Sequence, residues 1–252
     1  MSLLKKHFDC TIMFMMLEDE FVRNVLREEK KYLITLENYV SNCHFFKQVL
    51  HEDVHNGVNG YKVRSLYFDT IFDDDFYNKI DGLQVRRKIR IRVYSPDDKF
   101  GLLELKQKEG NYQQKRSLKM CKKDILEMIK GNYSVLLNYD EEFAKEMYSI
   151  MTTQHYVPKV INEYTRTAFI ASENNIRITF DRDIKATETS FDLFDKNLPL
   201  NYVLDPYNVV FEVKYNGFLL SYIKDIINRC DRIQTPTSKY CVARSSTIKY
   251  VF

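Results

Sequence analysis

One short segment of the sequence alternates cations with apolar residues in a pattern suited to anion binding. In residues 83–94, which are predicted to form a strand, one row carries Arg86, Lys88, Arg90 and Arg92. Side chains alternate between the two faces of a strand, so these cations share one face at a spacing of about 6.6–7 Å. Like charges side by side repel each other, which makes the row costly as ordinary surface. Arginine binds phosphate through paired hydrogen bonds and lysine binds it as a point charge, so the row predicts recognition of phosphate.

Other predicted strands repeat this arrangement of charged residues on a single row. A solvated outer face explains any one such strand, but natural outer faces mix charge signs, and here cations dominate over several strands. We therefore expect the charged rows to face inward in a closed barrel and to line a tunnel that binds an anion with many phosphate charges. The rows are Glu104, Lys106 and Lys108; Lys115, Ser117 and Lys119; Glu212 and Lys214; Glu29 and Lys31; with Arg166 and Arg177 in two further strands.

Three carboxylates, Glu29, Glu104 and Glu212, interrupt these basic rows. A carboxylate disfavours a nearby anion unless a divalent cation lies between them. Carboxylate oxygens bind Mg²⁺ or Mn²⁺, and these ions bridge to phosphate oxygens in phosphoryl-transfer enzymes. The sequence therefore predicts a site for a phosphate chain together with Mn²⁺ or Mg²⁺.

The elements that must position these residues are indicated by apolar alternation and by turn and capping signals. About eight long strands, mostly linked as hairpins, predict an α+β fold, namely an eight-stranded antiparallel β-barrel with helices packed outside. Thr35 is predicted to cap the first helix. The predicted strands are 26–34, 61–69, 83–94, 101–108, 113–120, 158–171, 175–182 and 208–215, and the predicted helices are 36–50, 73–79, 122–130, 140–152 and 218–230.

Composition limits the class of protein. The chain has 252 residues, 38 Lys and Arg against 35 Asp and Glu, a formal net charge of +3 and 44% hydrophobic residues. These values predict one globular domain over residues 27–252 with an N-terminal extension over residues 1–26, and they argue against coating of nucleic acid by bulk charge. The apolar run near the N-terminus is shorter than the ~20 residues of a membrane span. Five widely spaced cysteines without a C-x-x-C motif predict reduced thiols in a cytoplasmic protein.

Eight stretches of the sequence form an ordered set of motifs. They are EKKYLI at 29–34, VRSLYFDT at 63–70, KIRIRVY at 88–94, LELK at 103–106, YTRTAF at 164–169, IRITFD at 176–181, FEVKY at 211–215 and SKY at 238–240. This set resembles the VTC domain, the polyphosphate polymerase module of the triphosphate tunnel metalloenzyme (CYTH-like) superfamily. The resemblance covers residues 27–244 and implies an antiparallel triphosphate tunnel. It also implies transfer of the γ-phosphoryl group of ATP onto a growing polyphosphate chain, with Mn²⁺ or Mg²⁺ as cofactor.

The resemblance implies roles for individual residues. Glu212 matches a metal-binding glutamate of a late strand. The residues expected to clamp the transferred phosphates, and in that sense to be catalytic, are Arg90, Arg92, Arg166, Arg177 and Lys106. The predicted phosphate-binding residues beside them are Lys31, Lys79, Arg64, Lys88, Lys115, Lys214 and Lys239.

The first strand departs from the pattern of hydrolytic relatives, which carry Glu-x-Glu-x-Lys there. This chain has Arg27, Glu29 and Lys31 at those positions, and the loss of one glutamate favours the polymerase. Two alternatives stay open, an inorganic triphosphatase on the same scaffold and a non-catalytic module that binds polyphosphate or inositol phosphates. A P-loop kinase is excluded because the motif G-x-x-x-x-G-K-[ST] is absent from the sequence.

The predicted partners follow from the same reasoning. They are ATP and inorganic polyphosphate or triphosphate. Nucleic acid is not expected, because the 18 tyrosines and 17 phenylalanines are better explained as core residues than as a stacking platform. No transmembrane segment is expected, while a membrane-associated partner protein and the oligomeric state are left open.

Overall fold

A computed structural model describes residues 27–248 of the chain, apart from 111, 231 and 235–237. Within these residues, eleven strands belong to one sheet. The strands are β1 (Arg27–Thr35), β2 (His51–Glu52), β3 (Tyr61–Thr70), β4 (Val85–Val93), β5 (Phe100–Glu109), β6 (Tyr112–Cys121), β7 (Tyr156–Ala171), β8 (Ile176–Thr187), β9 (Asn201–Tyr202), β10 (Asn208–Asn216) and β11 (Arg232–Gln234).

The order of hydrogen-bonded strands is β11-β1-β10-β8-β7-β3-β4-β5-β6, with β2 added to β7 and β9 added to β8. All neighbours along this path are antiparallel. Eight of the described strands have nine or more residues, and the other three have two or three. The predicted antiparallel sheet of eight long strands is therefore confirmed.

The sheet curls but its two edges are not joined by hydrogen bonds within the described residues, since the path ends at β6 and at β11. In its hydrogen bonding the predicted barrel is therefore open between β6 and β11. Side chains nevertheless meet across the curl, because Lys106 Nζ of β5 lies 3.3 Å from Glu29 Oε2 of β1. The β6 edge exposes Gln113, Gln114 and Lys115, and exposed polar and charged side chains keep an edge strand unpaired.

Helices connect and cover the strands. Thr35 Oγ1 accepts a hydrogen bond from Asn38 N at 3.2 Å, which confirms the predicted N-cap of the first helix. Two short 3-10 segments lie at Tyr133–Asn138 and Glu173–Asn175. The described α-helices are α1 (Leu36–Val49), α2 (Asp74–Ile80), α3 (Lys122–Ile129), α4 (Glu142–Thr153), α5 (Ser221–Arg229) and α6 (Lys239–Ile248).

The apolar rows of the strands face outward and pack under helices, as predicted. On one half of the sheet, fully buried Ile89 and Leu103 share an apolar cluster with Met147 of α4. On the other half, Phe180 and Phe211 stack with ring centroids 4.8 Å apart in a cluster that includes residues of α1 and α5. Burying a large apolar side chain stabilises the fold by about 1.5–3 kcal/mol, so these two clusters hold the charged rows on the opposite face.

Helix α6 is not among the helices predicted from the sequence, and it packs against the face of the sheet that carries the charged rows. Tyr67 of β3 lies directly opposite Arg90 of β4, and cross-strand partners point to the same face. Tyr240 of α6 stacks on Tyr67 with ring centroids 5.2 Å apart, so the helix covers part of the charged face. The start of α6 therefore brings Ser238 and Lys239 to that face.

Two further sequence expectations concern the cysteines and the membrane. Cys43, Cys121, Cys230 and Cys241 are free thiols. Cys10 and the extension 1–26 lie outside the described residues. In the part of the chain that the structure describes, every helix is too short or too polar to cross a membrane.

Candidate functional site

Strand register gathers most of the predicted ligands on one face of the sheet, which we call the inner face. Directly opposed residues on neighbouring strands point to the same side, and the register pairs the charged rows with each other strand by strand. Its charged residues include Glu29, Lys31, Arg86, Lys88, Arg90, Arg92, Glu104, Lys106, Lys108, Lys115, Lys119, Arg166, Arg177, Asp181, Glu212 and Lys214, with Lys239 added by α6.

Glu104 organises the cations of β4 and β6. Its side chain is 2% exposed and accepts from Arg90 Nε at 2.6 Å. Lys115 Nζ lies 2.5 Å from Glu104 Oε1, and Arg92 Nη2 lies 3.4 Å from Glu104 Oε2. Burial raises the pKa of Glu104, but the charges of Arg90 and Lys115 outweigh burial and lower it below its ordinary value. The carboxylate is therefore ionised and holds the three cations in place.

Asp181 plays the same part for β7 and α6. It is fully buried and accepts from Arg166 Nε at 2.6 Å and from Arg166 Nη2 at 2.8 Å. Lys239 Nζ lies 2.5 Å from Asp181 Oδ2, the oxygen that also accepts from Arg166 Nη2. Burial raises the pKa of Asp181, whereas Arg166 and Lys239 lower it, with a net decrease. One buried carboxylate thus orients two of the predicted phosphate ligands.

Glu29 and Glu212 form a third group with lysines of three strands. Lys31 Nζ lies 2.5 Å from Glu29 and 3.9 Å from Glu212, and Lys214 Nζ lies 4.0 Å from Glu29 and 2.6 Å from Glu212. Lys106 adds the contact to Glu29 across the curl of the sheet. Burial and the neighbouring carboxylate raise the pKa of Glu29, but the lysines bring it down to about 2. The lysines likewise hold the pKa of Glu212 far below its ordinary value against burial.

Arg177 is held by the loop that precedes β3. Its Nη2 donates to Asp53 Oδ2 at 2.6 Å and to the Tyr61 hydroxyl at 3.3 Å. The loop passes close to β7 at Gly60, where φ is +82° and a Cβ atom would come within 2.3 Å of the Arg166 carbonyl oxygen. Glycine is required for this approach, which places Asp53 beside the arginine.

Lys88 differs from the other inner-face lysines. Its Nζ donates to Ser238 Oγ at 2.5 Å and lies over the rings of Tyr67 and Tyr240, at 6.0 and 5.8 Å from their centroids. Among the described residues no carboxylate forms an ion pair with it. Burial is the main cause that lowers its pKa, to about 8. Lys88 is therefore the inner-face cation whose charge an incoming anion would stabilise most.

Two predicted phosphate ligands lie elsewhere. Arg64 is on the outer face, where its Nε donates to Glu163 at 2.8 Å and its Nη1 donates to the carbonyl oxygens of Leu193 and Asp195. This buried arginine stabilises the fold, and its predicted phosphate role was wrong because residue 64 alternates out of the inner row. Lys79 is on α2 at the border of the inner face, where burial lowers its pKa and nearby Arg86 lowers it further.

The three predicted metal ligands do not form one cluster. In the described part of the chain, no three Asp, Glu, His or Cys residues lie close enough together to hold a metal ion. Glu104 pairs with Arg90 and Lys115 and shares no lysine with the other two carboxylates, and its role as a metal ligand stays a prediction. Glu29 and Glu212 share two lysines and are both ionised. Two carboxylates fit a Mn²⁺ or Mg²⁺ ion that takes its remaining ligands from phosphate oxygens and water.

A comparison with models of protein families matches residues 26–248 to the VTC domain. The chain belongs to the VTC domain family. The match runs from β1 to the end of α6, so all strands that carry the inner-face residues are within the VTC domain. A search of curated proteins found no match.

One solved structure shows the same fold at low sequence identity. The VTC domain is similar to HpAC1 from Hippeastrum, a candidate adenylyl cyclase with a dominant triphosphatase activity, at 12% identity and a TM-score of 0.52 over 86% of this chain and 95% of that chain. It is also similar to a candidate adenylate cyclase from Bacillus halodurans, at 16% identity and a TM-score of 0.46 over 84% and 95% of the two chains. The first similarity confirms the predicted tunnel fold.

Sequence analysis missed the acidic partners Asp53 and Asp181 and the hydroxyl partners Tyr67 and Ser238. Asp181 lies four positions after Arg177 on the same row of its strand, so alternation alone places it on the charged face of the VTC domain. No pattern in the sequence predicts the role of Asp53, because it contacts Arg177 from a loop 124 positions away in sequence.

Proposed function

We propose that the VTC domain is a metal-dependent polyphosphate polymerase, which transfers the γ-phosphoryl group of ATP onto a growing chain of inorganic polyphosphate. The observation that carries the proposal is the convergence of Arg90, Arg92 and Arg166 on one enclosed face. Each guanidinium is oriented by a carboxylate that leaves further N–H groups uncommitted. Membership of the VTC family supports the same function.

One orphaned donor supports phosphate binding in particular. Arg92 Nε is buried and has no hydrogen-bond partner, and the hydroxyl of Ser65, directly opposite on β3, is buried and unpartnered as well. Buried polar groups nearly always have a hydrogen-bond partner, so a buried group without one points to a ligand or a bound water. A phosphate oxygen accepts from both an arginine N–H and a hydroxyl, and it is the partner we assign to them.

The proposed chemistry relies on position and charge. Phosphoryl transfer needs little covalent help from a protein, and fixed donors stabilise the charge spread over the transferred group. Arg90, Arg92 and Arg166 would hold the β- and γ-phosphates, and a phosphate that replaces the hydroxyl partner of Lys88 would stabilise its charged form. Because their carboxylates already fix the arginine side chains, little ordering is needed when the substrate binds.

The acceptor is the terminal phosphate of a chain, which is already an anion. No general base is therefore needed, and the chain's own residues only have to bring donor and acceptor into line. The described histidines agree with this arrangement. His55 donates to Asp53 at 2.8 Å and so supports the residue that holds Arg177.

Glu29 and Glu212 are the residues we assign to Mn²⁺ or Mg²⁺. When bound, such an ion neutralises phosphate charge and polarises the transferred group. The two carboxylates are ionised well below neutral pH, as metal ligands must be. Lys31 and Lys214, which compensate them now, would turn their ammonium groups to phosphate oxygens when the metal binds. A cytoplasmic location is also part of the proposal, supported by the free thiols of the described residues.

An inorganic triphosphatase is the second candidate. It is favoured by the similarity of fold to the Hippeastrum protein with triphosphatase activity. Arg27 stands where hydrolytic relatives have a further glutamate, which is why we rank hydrolysis second.

Incubation with tripolyphosphate and with ATP, each with Mn²⁺ or Mg²⁺, separates the two candidates. The polymerase makes long chains from ATP and leaves tripolyphosphate intact. A hydrolase releases phosphate from tripolyphosphate alone and makes no chain. Binding of both ligands without turnover would instead support a non-catalytic phosphate-binding module.

A further inference from the structure

A second group of cations extends the inner face past the residues that form the proposed active site. Arg86 of β4 lies directly opposite Lys108 of β5, one inner-face pair beyond Lys88 and Lys106. Lys79 lies on α2, a helix that contacts β4, and burial together with the charges of Arg86 and Lys108 lowers its pKa. We call Lys79, Arg86 and Lys108 the distal cluster.

Compensation by carboxylates decreases along β4 and β5 towards this cluster. Arg90 lies opposite Glu104 and pairs with it at 2.6 Å. In the next inner-face pair, Lys106 reaches Glu29 at 3.3 Å, whereas Lys88 has a serine hydroxyl in place of a carboxylate. The positive charge along the row is thus less balanced with each step away from Arg90.

The distal pair is the end of this trend. Neither Arg86 nor Lys108 forms an ion pair within the described residues, and Arg86 Nη1 donates only to the carbonyl oxygen of Leu83, at 3.3 Å. Like charges placed directly opposite each other on neighbouring strands destabilise a sheet. Both side chains are half-buried, so water screens this repulsion only in part. An anion between them would remove the cost.

Space for such an anion lies beside the cluster. A cavity of about 330 Å³ opens there, lined by Arg86 and Lys108 together with Gly82, Leu83, Gln84 and Gly110. Its lining within the described residues holds two cations and no carboxylate. The cavity is therefore basic.

We propose that the distal cluster is a second subsite for linear polyphosphate, filled by phosphates that lie beyond those held by Arg90 and Arg92. This inference rests on the proposed function and specifies where the chain extends. Arg86 lies four positions before Arg90, about 13 Å along the row, so a single phosphate group cannot contact both. A chain can, and each added contact neutralises a cation that has no other partner. Long chains should therefore bind more tightly than tripolyphosphate.

Binding of two probes tests the subsite. Isothermal titration without metal would compare tripolyphosphate with long-chain polyphosphate, for the wild type and for the double variant Arg86→Gln/Lys108→Gln. We expect the variant to bind the long chain about tenfold more weakly, and tripolyphosphate within twofold of the wild type. The dependence of the long-chain affinity on salt should also flatten, by roughly one unit of slope for each lost contact.

A matched control removes the same charge elsewhere. Lys123→Gln/Lys130→Gln alters two exposed lysines at α3, which packs on the outer face, and should leave both affinities unchanged. Arg86→Lys/Lys108→Arg keeps the charges and should keep the chain-length effect. If the double glutamine variant does not fold, Lys79→Gln on the half-buried face of α2 tests the same cluster.

The outcomes separate this inference from the proposed function. Equal affinities of the wild type for the two probes, or equal loss of both in the double variant, would overturn the distal subsite while leaving the active site in place. A wild type that bound neither probe would contradict the proposed function and the subsite together.

Discussion

Replacement of Asp181 by asparagine removes the one carboxylate that compensates both Arg166 and Lys239. The side chain is 0% exposed, with contacts of 2.6 and 2.8 Å to the arginine and 2.5 Å to the lysine. Breaking a buried ion pair by removing one partner costs about 3–5 kcal/mol, because the remaining charge stays buried. For a domain of this size about 2–4 °C is lost per kcal/mol, so the thermal midpoint should fall by roughly 6–20 °C.

The same arrangement predicts an unusual response of the variant to ligand. In the wild type an incoming phosphate competes with Asp181 for the two cations, whereas in Asp181→Asn it supplies the missing negative charge. Tripolyphosphate at a fixed concentration should therefore raise the thermal midpoint of the variant by more degrees than that of the wild type. This extra stabilisation by tripolyphosphate should be smaller in high salt, because it is electrostatic.

Thermal unfolding by circular dichroism, with and without tripolyphosphate, measures both effects. Glu146→Gln is the matched control, because Glu146 makes a two-point pair with Arg116 at 2.5 and 2.7 Å on the outer face, where the side chains are 38% and 30% exposed. The Glu146→Gln variant should lose about 1 kcal/mol or less of folding stability, and tripolyphosphate should raise its thermal midpoint no more than that of the wild type. An Asp181→Asn variant as stable as the wild type, or one that gains no more from tripolyphosphate, would refute this reasoning.

Further predictions follow from four single residues. Arg90→Ala should lower the rate of chain synthesis by about 100-fold or more while the far-UV spectrum stays unchanged, because Glu104 keeps two other cations; near wild-type synthesis would contradict the assigned role. Glu212→Gln should abolish activation by Mn²⁺ in a metal titration but preserve tripolyphosphate binding, and retention of metal activation would exclude Glu212 as a ligand. The affinity for tripolyphosphate should fall as pH rises through about 8, because the Lys88 ammonium is lost there, and Lys88→Met should flatten this profile between pH 7 and 9. The same lysine is harder to charge in the folded chain than in the unfolded chain, so its contribution to stability should improve as pH rises from about 8 towards its ordinary pKa. Arg64→Met should lower the thermal midpoint, because Glu163 is left unpaired by Arg64, yet leave tripolyphosphate affinity unchanged; a loss of affinity at constant stability would return Arg64 to the phosphate site.

Local pattern was sufficient to predict the strands and the charged row of β4. Alternation with a period of two is a property of the extended chain itself, so Lys88, Arg90 and Arg92 share a face wherever the strand is placed. The N-cap at Thr35 is local in the same sense. Arg64 could have been excluded by the same rule, because Ser65 and Tyr67 occupy the inner row of its strand.

Non-local contacts explain what the sequence did not predict. Whether the two edges of the sheet pair depends on how far the whole sheet curls. No local pattern in β6 or β11 predicts the distance between these edges. The sequence of helix α6 has only a weak amphipathic pattern, and its placement against the inner face follows from Tyr240 stacking on Tyr67, 173 positions away. The pairing of Asp53 with Arg177 likewise joins a loop to a distant strand. Such contacts decide which cations are compensated, and therefore which remain available to phosphate.

The fate of the γ-phosphoryl group tests the central claim most directly. ATP labelled on its γ-phosphate would be incubated with the protein and Mn²⁺, and the products separated by chain length. The proposed polymerase predicts labelled chains that lengthen with time, with one ADP released for each phosphate incorporated, and no chains with Arg90→Ala. Label recovered only as free phosphate, or left entirely in ATP, would contradict the account.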